Sequence, residues 1–304
     1  MFEQVHSLAE FASFCECESR CADALFRFKW PDGYRCPNCS HHEYYEITTR
    51  RLPLYECRRC RCQTSLTTGT IMEGSRTPLR KWFIAMFLFL CPGGVSAVRL
   101  ADTIKVTYKT AWHMLHKIRH AATLADDGHQ LSGLVRICGG MYGTNYRRYT
   151  VHHPEETPVL VGCSEQKSGD PSYLKIKLVP SAHVARGYRV KPSGVIRFIV
   201  DHVHLCSSID CTTLSYARNP QFADLKRLLR EARDTLCHTY GGLRRKHLQA
   251  YLNEFACRFN INGRGDSPFT VLATYCARAY PLTYARLIAR NDAVLTGHFL
   301  TVAA

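Results

Sequence analysis

Apolar positions along the chain repeat with two different periods. Between residues 77 and 123 they recur every three to four residues, which is the period of amphipathic helices. Thr77 is the predicted N-cap of the first helix, since Pro78 follows it and proline suits the first helical position. Three helices are predicted, separated by turn signals: one opening at Thr77-Pro78 and running to about Leu90, one from Ser96 to about Ile104, and one that begins near Thr107.

The third of these helices has a narrow apolar stripe formed by Ala111, Leu115, Ile118 and Ala122. Its polar residues are expected to lie mostly outside the stripe: Tyr108, Lys109, Thr110, His113, His116 and Lys117. A short helix, a tight turn and a basic amphipathic helix are typical of a helix-turn-helix unit, whose last helix reads the major groove. Any three-helix bundle with a polar face has the same pattern; the basic neighbourhood favours the DNA-reading interpretation.

Beyond a polar linker the pattern shortens to that of strands and then returns to that of helices. Four short segments rich in β-branched and aromatic residues predict strands: Gly133–Cys138, Pro158–Cys163, Tyr173–Val179 and Val195–Asp201. Two apolar helical faces follow, formed by Leu225, Leu228, Leu229 and Ala232, and by Leu248, Leu252, Phe255, Ala256 and Phe259. Strands followed by helices predict an α/β or α+β domain, and the chain as a whole a multidomain α/β protein.

Two Cys-x-x-Cys pairs precede the helical region. Cys36 and Cys39 form the first pair, Cys57 and Cys60 the second, and seventeen residues separate the pairs. Four thiolates at this spacing can bind one Zn²⁺ tetrahedrally, as in a zinc ribbon. Strand-like residues between the pairs predict the hairpin of the ribbon: Tyr44, Tyr45 and Ile47, then Leu52, Leu54 and Tyr55. Free dithiols are the alternative, and Cys15, Cys17 and Cys21 form a second, looser cluster.

The charge balance indicates a polyanionic partner. The 304 residues include 40 Lys and Arg against 25 Asp and Glu, a net charge of +15. The chain is not predicted to span a membrane, because its longest apolar run, Trp82 to Cys91, is too short to cross a bilayer. No apolar signal segment follows Met1, which predicts a cytoplasmic protein. Five arginines in the ribbon suit phosphate contacts: Arg50, Arg51, Arg58, Arg59 and Arg61.

The order of motifs resembles a known family. Phe28-x-Trp30-Pro-Asp-Gly33 leads into the first cysteine pair, and Gln63-Thr-Ser-Leu66 through Pro78 and Trp82 follows the second. These segments closely resemble the N-terminal region of zinc-ribbon insertion-sequence transposases, the family designated fifteen-ninety-five. Three further segments resemble the same family: 95–101, 108–119 and 239–260. The resemblance implies an RNase H-like catalytic domain of the DDE type, which holds two Mg²⁺ ions on acidic side chains to cut and rejoin DNA.

The acidic residues that this resemblance implies are largely missing. Cys138 stands where the family has its first catalytic aspartate, and Phe222 where it has the glutamate. Asp210 fits the second aspartate best, and Asp201 is the runner-up. A thiol is a soft ligand, whereas two-metal phosphoryl transfer needs hard oxygen ligands. Arg136, two residues before Cys138, also opposes a cation. The sequence therefore predicts a degenerate catalytic triad.

These observations divide the chain into six segments: a helical lead-in (1–30), the zinc ribbon (31–76), the helix-turn-helix unit (77–123), a linker (124–132), a degenerate RNase H-like domain (133–262) and a C-terminal tail (263–304). The predicted function is duplex DNA binding in the nucleoid, with structural zinc and with strand transfer lost. An active Mg²⁺-dependent transposase and an RNA-binding or transcription-associated ribbon protein are the alternatives. Transposase descent also implies self-association, because two element ends must be paired.

Overall fold

A computed structural model describes residues 7–143, 156–166, 169–186, 189–213, 219–241, 243–263 and 266–288. The chain forms two compact units, which we call the ribbon unit (residues 1–125 and 264–287) and the sheet unit (residues 126–263 and 288–304). The ribbon unit contains α1 (Leu8–Phe14), α2 (Glu18–Lys29), β1 (Tyr44–Ile47), β2 (Leu54–Cys57), β3 (Gln63–Ser65), α3 (Leu79–Leu90), α4 (Ala97–Ile104), most of α5 (Tyr108–Asp127), α9 (Pro268–Arg278) and most of α10 (Tyr284–Ile288).

Helix α9 completes the core of the ribbon unit, although it comes from the segment predicted as a C-terminal tail. The Phe269 ring lies 4.7 Å from that of Phe11 in α1 and 5.5 Å from that of Phe83 in α3. Phe28 of α2 contacts both Phe83 and Phe269. Helices from both ends of the chain therefore share one aromatic core.

Helix α3 begins one residue later than predicted. Pro78, not Thr77, occupies the N-cap position and makes no side-chain hydrogen bond there. The Glu18 carboxylate of α2 replaces a conventional cap and accepts hydrogen bonds from the N–H groups of Leu79 (2.7 Å) and Arg80 (3.2 Å). A carboxylate at this end also complements the helix dipole. The cap is remote in sequence, which is why a local pattern did not predict it.

Helix α5 is buried on more of its circumference than predicted. The stripe of Ala111, Leu115, Ile118 and Ala122 is buried, as expected. The expectation that His116 and Lys117 lie outside the buried surface is wrong, since they are 2% and 7% exposed. The Lys117 ammonium donates to the carbonyl of Glu73 (3.3 Å) and lies near the Trp82 ring. Packing around the whole helix, and not only its apolar stripe, buries these residues.

The sheet unit contains β4 (Leu134–Tyr142), β5 (Thr157–Glu165), β6 (Pro171–Leu178), α6 (Pro192–His202), β7 (Ser208–Thr212), α7 (Ala223–Tyr240) and α8 (Arg245–Asn262). The described strands lie in the order β6-β5-β4-β7. Strand β5 runs antiparallel to both of its neighbours, β4 and β6, whereas β7 runs parallel to β4. The unit is thus a mixed sheet with helices. None of the helices that the structure describes has the length and apolar character needed to cross a bilayer.

The strand predicted for Val195–Asp201 is wrong, because this segment belongs to helix α6. Its buried residues, Gly194, Val195 and Phe198, recur at helical spacing. Ile196 and Val200 are exposed at 60% and 69%. The β-branched residues resemble a strand locally, but only one helical side of the segment is buried.

The two faces of the sheet are covered by different helices. Helices α7 and α8 pack on the face that contains Cys138, and α6 packs on the opposite face through Phe198. The predicted apolar face of α7 is buried, as are Leu248, Leu252 and Ala256 of α8; Phe255 and Phe259 are partly buried. A Cβ at Gly140 would meet Leu229 of α7 at 2.1 Å, so glycine permits this close packing.

Candidate metal centre and nucleic-acid interface

Four cysteine side chains of the ribbon converge on one point. The Sγ atoms of Cys36 and Cys60 are 3.5 Å apart, and those of Cys39 and Cys57 are 3.6 Å apart. All four sulfur atoms lie within 4.8 Å of one another. A tetrahedral zinc ion with Zn–S bonds of about 2.3 Å separates its sulfur ligands by about 3.8 Å. The four thiols therefore fit a structural zinc ion, and the predicted ligand set comes together.

The two cysteine pairs have the same backbone conformation. Ser40 N donates to Cys36 O (2.9 Å), and Arg61 N donates to Cys57 O (3.0 Å). Ser40 and Arg61 each follow the second cysteine of a pair, and both have φ of 58°. L-residues rarely adopt this left-handed conformation. Its occurrence at equivalent positions indicates that each turn is shaped to direct two sulfur atoms inward.

Hydrogen bonds favour thiolate formation at two of the four cysteines. Burial raises the pKa of Cys36, but the N–H groups of Asn38 and Cys39 outweigh it and lower the pKa to about 6. The N–H of Cys62 lowers the pKa of Cys60 in the same way. The Cys39 thiol loses its proton less readily. The N–H of His41 lowers its pKa, but burial and the neighbouring thiols outweigh that effect and raise the pKa to about 12. A bound cation would favour the thiolate form of Cys39.

The other N-terminal cysteines do not form a second centre of this kind. Cys15 and Cys21 are buried, and Cys17 is exposed at the start of α2. Within the part of the chain that the structure describes, the four ribbon cysteines are the one group whose ligand atoms converge. Cys62 is outside that group, although its carbonyl accepts a hydrogen bond from Cys57 N (3.0 Å).

All five arginines predicted to contact DNA are exposed on the ribbon: Arg50, Arg51, Arg58, Arg59 and Arg61. Arg51 donates to the carbonyl of Arg76 (3.3 Å), and Arg61 pairs with Glu56 (3.1 Å). Arg58 and Arg61 lie beside the ring of Tyr45, which sequence reasoning did not include in the interface. The alternation of Tyr44 and Tyr45 in a strand was a usable signal, because one of two consecutive strand residues faces outward.

The residues predicted in α5 differ in accessibility. Tyr108 and Lys109 are exposed and Thr110 is half-buried, all in the first turn of the helix. His113 is half-buried, and burial, together with Lys117 and Lys109, lowers its pKa although it donates to the carbonyl of Leu282. Lys117 is buried, as described above. The first turn of α5 is therefore the part of this helix that could meet a nucleic acid.

A C-terminal segment, residues 280–287, lies along α5 in the ribbon unit. The Tyr284 ring contacts those of Trp112 (6.3 Å between centroids) and His113 (5.8 Å), and the Lys109 ammonium lies 4.9 Å from its centre. Seven residues further along α5, His120 contacts the Tyr280 ring (4.8 Å). Sequence patterns did not predict this contact, which is why the polar face of α5 was expected to be free.

Cys138, which the sequence resemblance alone aligns with a catalytic aspartate, lies inside the core of the sheet unit. Cys138 is buried in the centre of β4, opposite Val161 of β5 and Thr212 of β7. Burial raises the pKa of its thiol to about 12, against the opposing effect of Lys226. A neutral thiol in apolar surroundings does not fit a Mg²⁺ ion, which takes oxygen ligands.

An arginine, Arg136, lies two residues before Cys138 on the same strand. Arg136 pairs with Glu165 (3.0 Å) and donates to the carbonyl of Gln221 (2.6 Å). Asp210 of β7 is directly opposite Arg136 in the parallel ladder and is exposed. Burial raises the pKa of Glu165, and Arg136 partly offsets that effect. The Arg136 guanidinium is therefore paired with Glu165, and its residue is the ladder neighbour of Asp210.

Of the other two positions considered, Asp201 lies on the helix that packs on the opposite face of the sheet, and Phe222, close to Cys138, is apolar. Asp201 is exposed on α6 and accepts a hydrogen bond from Arg197 (2.6 Å). Phe222 is buried against the residues of α7 and cannot bind a cation. The structure thus brings Asp210 alone of the predicted acids beside the Cys138 strand.

Comparison with known proteins agrees with the ribbon. Residues 16–63 match the family described as "Transposase zinc-ribbon domain". A curated protein of Halobacterium salinarum, described as "Uncharacterized protein in transposable element ISH50", is 30% identical over 106 residues. The alignment covers 34% of this chain and 35% of the relative, so the chain spans about a third of the length of the curated relative it matches. No solved structure matches the chain. The ribbon is therefore similar to transposase zinc ribbons, and the chain has a relative in a transposable element.

Proposed function

We propose that this protein binds duplex DNA and has lost the strand-transfer chemistry of its transposase ancestors. The observation that carries the proposal is the transposase-type ribbon, with four convergent thiols and five exposed arginines. Zinc fixes the fold of the ribbon, and the arginines supply charge for phosphate oxygens. The first turn of α5, with Tyr108, Lys109 and Thr110, is the second contact region. The turn from α4 to α5 supports a helix-turn-helix interpretation.

Two observations support an RNase H-like sheet without catalysis. Three antiparallel strands with a fourth parallel to the first, covered by helices on both faces, agree with the RNase H-like domain that the sequence resemblance implies. The buried Cys138 and the Arg136–Glu165 pair oppose metal binding at the position of the triad. A soft neutral thiol and a guanidinium cannot replace two carboxylates between Mg²⁺ ions.

Duplex binding is tested by its dependence on salt. Fluorescence anisotropy of the zinc-loaded chain with a labelled duplex is measured between about 50 and 200 mM salt, the range over which six phosphate contacts weaken binding about a thousandfold. A steep linear decrease of log Kobs with log salt is the expected result. Affinity that is independent of salt, or tighter binding of single-stranded RNA at the same salt concentration, contradicts the proposal.

Loss of chemistry is tested separately. The chain is incubated in Mg²⁺ or Mn²⁺ with DNA that carries the repeats flanking its own gene, and the strands are resolved on a denaturing gel. The expected result is uncut DNA. Cleavage by the wild-type chain that Asp210→Ala abolishes would identify an active transposase and overturn this half of the proposal, while leaving DNA binding untouched.

A further inference from the structure

The ribbon sheet has an outward face with one exposed aromatic ring. Tyr44 and Tyr45 are consecutive in β1 and point to opposite faces. Tyr44 contacts the rings of Tyr34 (4.9 Å) and Tyr55 (5.3 Å) on the inner face. Tyr45 lies on the outer face and is 47% exposed. The inner ring stabilises the ribbon, whereas the outer ring is available to a partner.

A row of polar side chains continues from Tyr45 across the sheet. Tyr45 is opposite Glu56 in β2, and Glu56 is opposite Gln63 in β3. The Glu56 carboxylate accepts hydrogen bonds from Gln63 Nε2 (2.9 Å) and Arg61 (3.1 Å), and these bonds lower its pKa. Arg61 is thereby held at the edge of the row, close to Tyr45.

Two guanidinium groups flank the exposed ring. The guanidinium carbon of Arg58 is 4.7 Å from the centre of Tyr45, and that of Arg61 is 5.7 Å away. The side chains remain 48% and 67% exposed. A guanidinium on an aromatic ring forms a flat cationic surface that can stack on a base and pair with a phosphate. The left-handed backbone at Arg61 directs this side chain from the second cysteine turn.

We propose that Tyr45, Arg58 and Arg61 bind an unpaired nucleotide, with its base stacked on Tyr45 and Arg58 and its phosphate paired with Arg61. This inference rests on the proposed DNA-binding function and names the kind of DNA that the ribbon prefers. In a duplex, neighbouring bases cover the flat faces of each base. A planar, cationic surface therefore suits a nucleotide that has left the stack, at a strand end or in a single-stranded extension.

The test compares three DNAs at one salt concentration: a blunt duplex, the same duplex with a short single-stranded extension, and the same duplex with an abasic extension. The abasic extension keeps the phosphates and removes the bases. The zinc-loaded chain is expected to bind the nucleotide extension about tenfold more tightly than the abasic one, within the range measured for base stacking on aromatic residues. Tyr45→Ala should remove this difference, and Tyr45→Phe should keep it.

Controls separate stacking from charge and from folding. Zinc content and far-ultraviolet circular dichroism confirm that each variant is folded, and Glu46→Ala changes the next, also exposed, residue of β1. Equal affinity for nucleotide and abasic extensions overturns the inference, as does a Tyr45→Ala variant that keeps the difference. If the blunt duplex does not bind while the nucleotide extension binds more tightly than the abasic one, duplex binding fails and the stacking site stands.

Discussion

The ammonium of Lys29 lies 2.6 Å from the carbonyl oxygen of Thr68 and connects helix α2 to the end of the ribbon. Two more carbonyl groups, those of Leu66 (3.1 Å) and Ser65 (3.4 Å), accept from the same nitrogen. The Trp30 ring lies 4.2 Å from it. One side chain thus satisfies three backbone acceptors at the end of β3 and just after it. This contact fixes the ribbon on the helices that precede it.

Lys29 should make the stability of the ribbon unit depend on pH. Burial lowers its pKa from 10.5 to about 8, against the opposing effect of Glu73. Between these two values the unfolded chain binds more protons than the folded chain, so the free energy of unfolding rises with pH. We expect the stability difference between wild type and Lys29→Met to increase between pH 8 and 10, by on the order of 1–3 kcal/mol.

Tryptophan fluorescence during urea unfolding measures this difference for the ribbon unit alone, since Trp30, Trp82 and Trp112 all lie there. Lys109→Met, which changes an exposed lysine, is the matched control. A stability difference between wild type and Lys29→Met that stays constant across this pH range contradicts the prediction.

Removal of a zinc ligand should unfold the ribbon. Structural zinc contributes on the order of 10–16 kcal/mol in small zinc-binding domains. Cys57→Ser is therefore expected to lose zinc and duplex binding together, whereas Cys62→Ser, outside the convergent group, should retain one zinc per chain. Elemental analysis of the purified variants measures the metal. Full zinc occupancy in Cys57→Ser would refute the ligand set.

Residue spacing and periodicity predicted those elements that are determined by residues close together in the sequence. The cysteine spacing predicted which four sulfur atoms converge, and apolar periodicity predicted helices close to α3, α4 and α5. Strand β3 has only three residues, so no alternation was available to predict it. In Val195–Asp201 the β-branched residues favoured a strand, but the buried positions follow a helical period.

These local signals could not predict contacts between residues that are distant in the sequence. Glu18 caps α3 from sixty-one residues away in sequence. Phe269 joins the aromatic core of α1, α2 and α3 from the other end of the chain. Tyr284 covers part of α5 in the same way. Each contact is decided by the packing of complete helices, and neither partner carries a pattern that identifies the other.

Two lysines of α5 should respond differently to substitution. Lys109 is exposed on the first turn, and Lys117 is buried and bonded to the carbonyl of Glu73. Lys109→Ala should weaken duplex binding and reduce the magnitude of the salt slope by about 0.9, the value for one phosphate contact. Lys117→Ala should instead lower stability by about 1–3 kcal/mol, because it leaves a carbonyl without its donor. Anisotropy and urea unfolding distinguish the two outcomes; an unchanged slope in Lys109→Ala would remove α5 from the interface.

An aspartate placed at position 138 should not give the chain DNA-cleaving activity. Cys138 is surrounded by the core of the sheet unit, including Val161 and Leu229. Burial of an unpaired carboxylate there is unfavourable, so Cys138→Asp should destabilise the unit by on the order of 3 kcal/mol or more. Cys138→Ala, the control for side-chain loss, should cost about 1 kcal/mol. Circular dichroism during urea unfolding measures both. A stable Cys138→Asp variant that cleaves DNA with Mg²⁺ would show that one substitution inactivated the site.

Acidification should loosen the C-terminal segment from α5. Burial lowers the pKa of His113 and of His120, although the carbonyls of Leu282 and Tyr280 accept from their rings. The Nε2 atom of each ring is buried and has no hydrogen-bond partner among the described residues. Below the unfolded-state pKa of about 6.5, the unfolded chain binds protons that the folded chain does not, so stability falls as pH falls.

We therefore expect the ribbon unit to lose less stability between pH 7 and 5.5 in His120→Asn than in the wild-type chain. Asparagine keeps a donor near the position of Nδ1 and cannot become charged in this range. Excess zinc in all samples limits the loss of stability that protonation of the cysteine thiols would cause. His42→Asn, which changes an exposed histidine, is the control variant. Intrinsic amide exchange slows as pH falls, so the readout is the protection factor of residues 280–287, the ratio of intrinsic to observed exchange rate. It should fall between pH 7 and 5.5 in the wild type and fall less in the variant. An equal fall in both would show that His120 does not hold this segment.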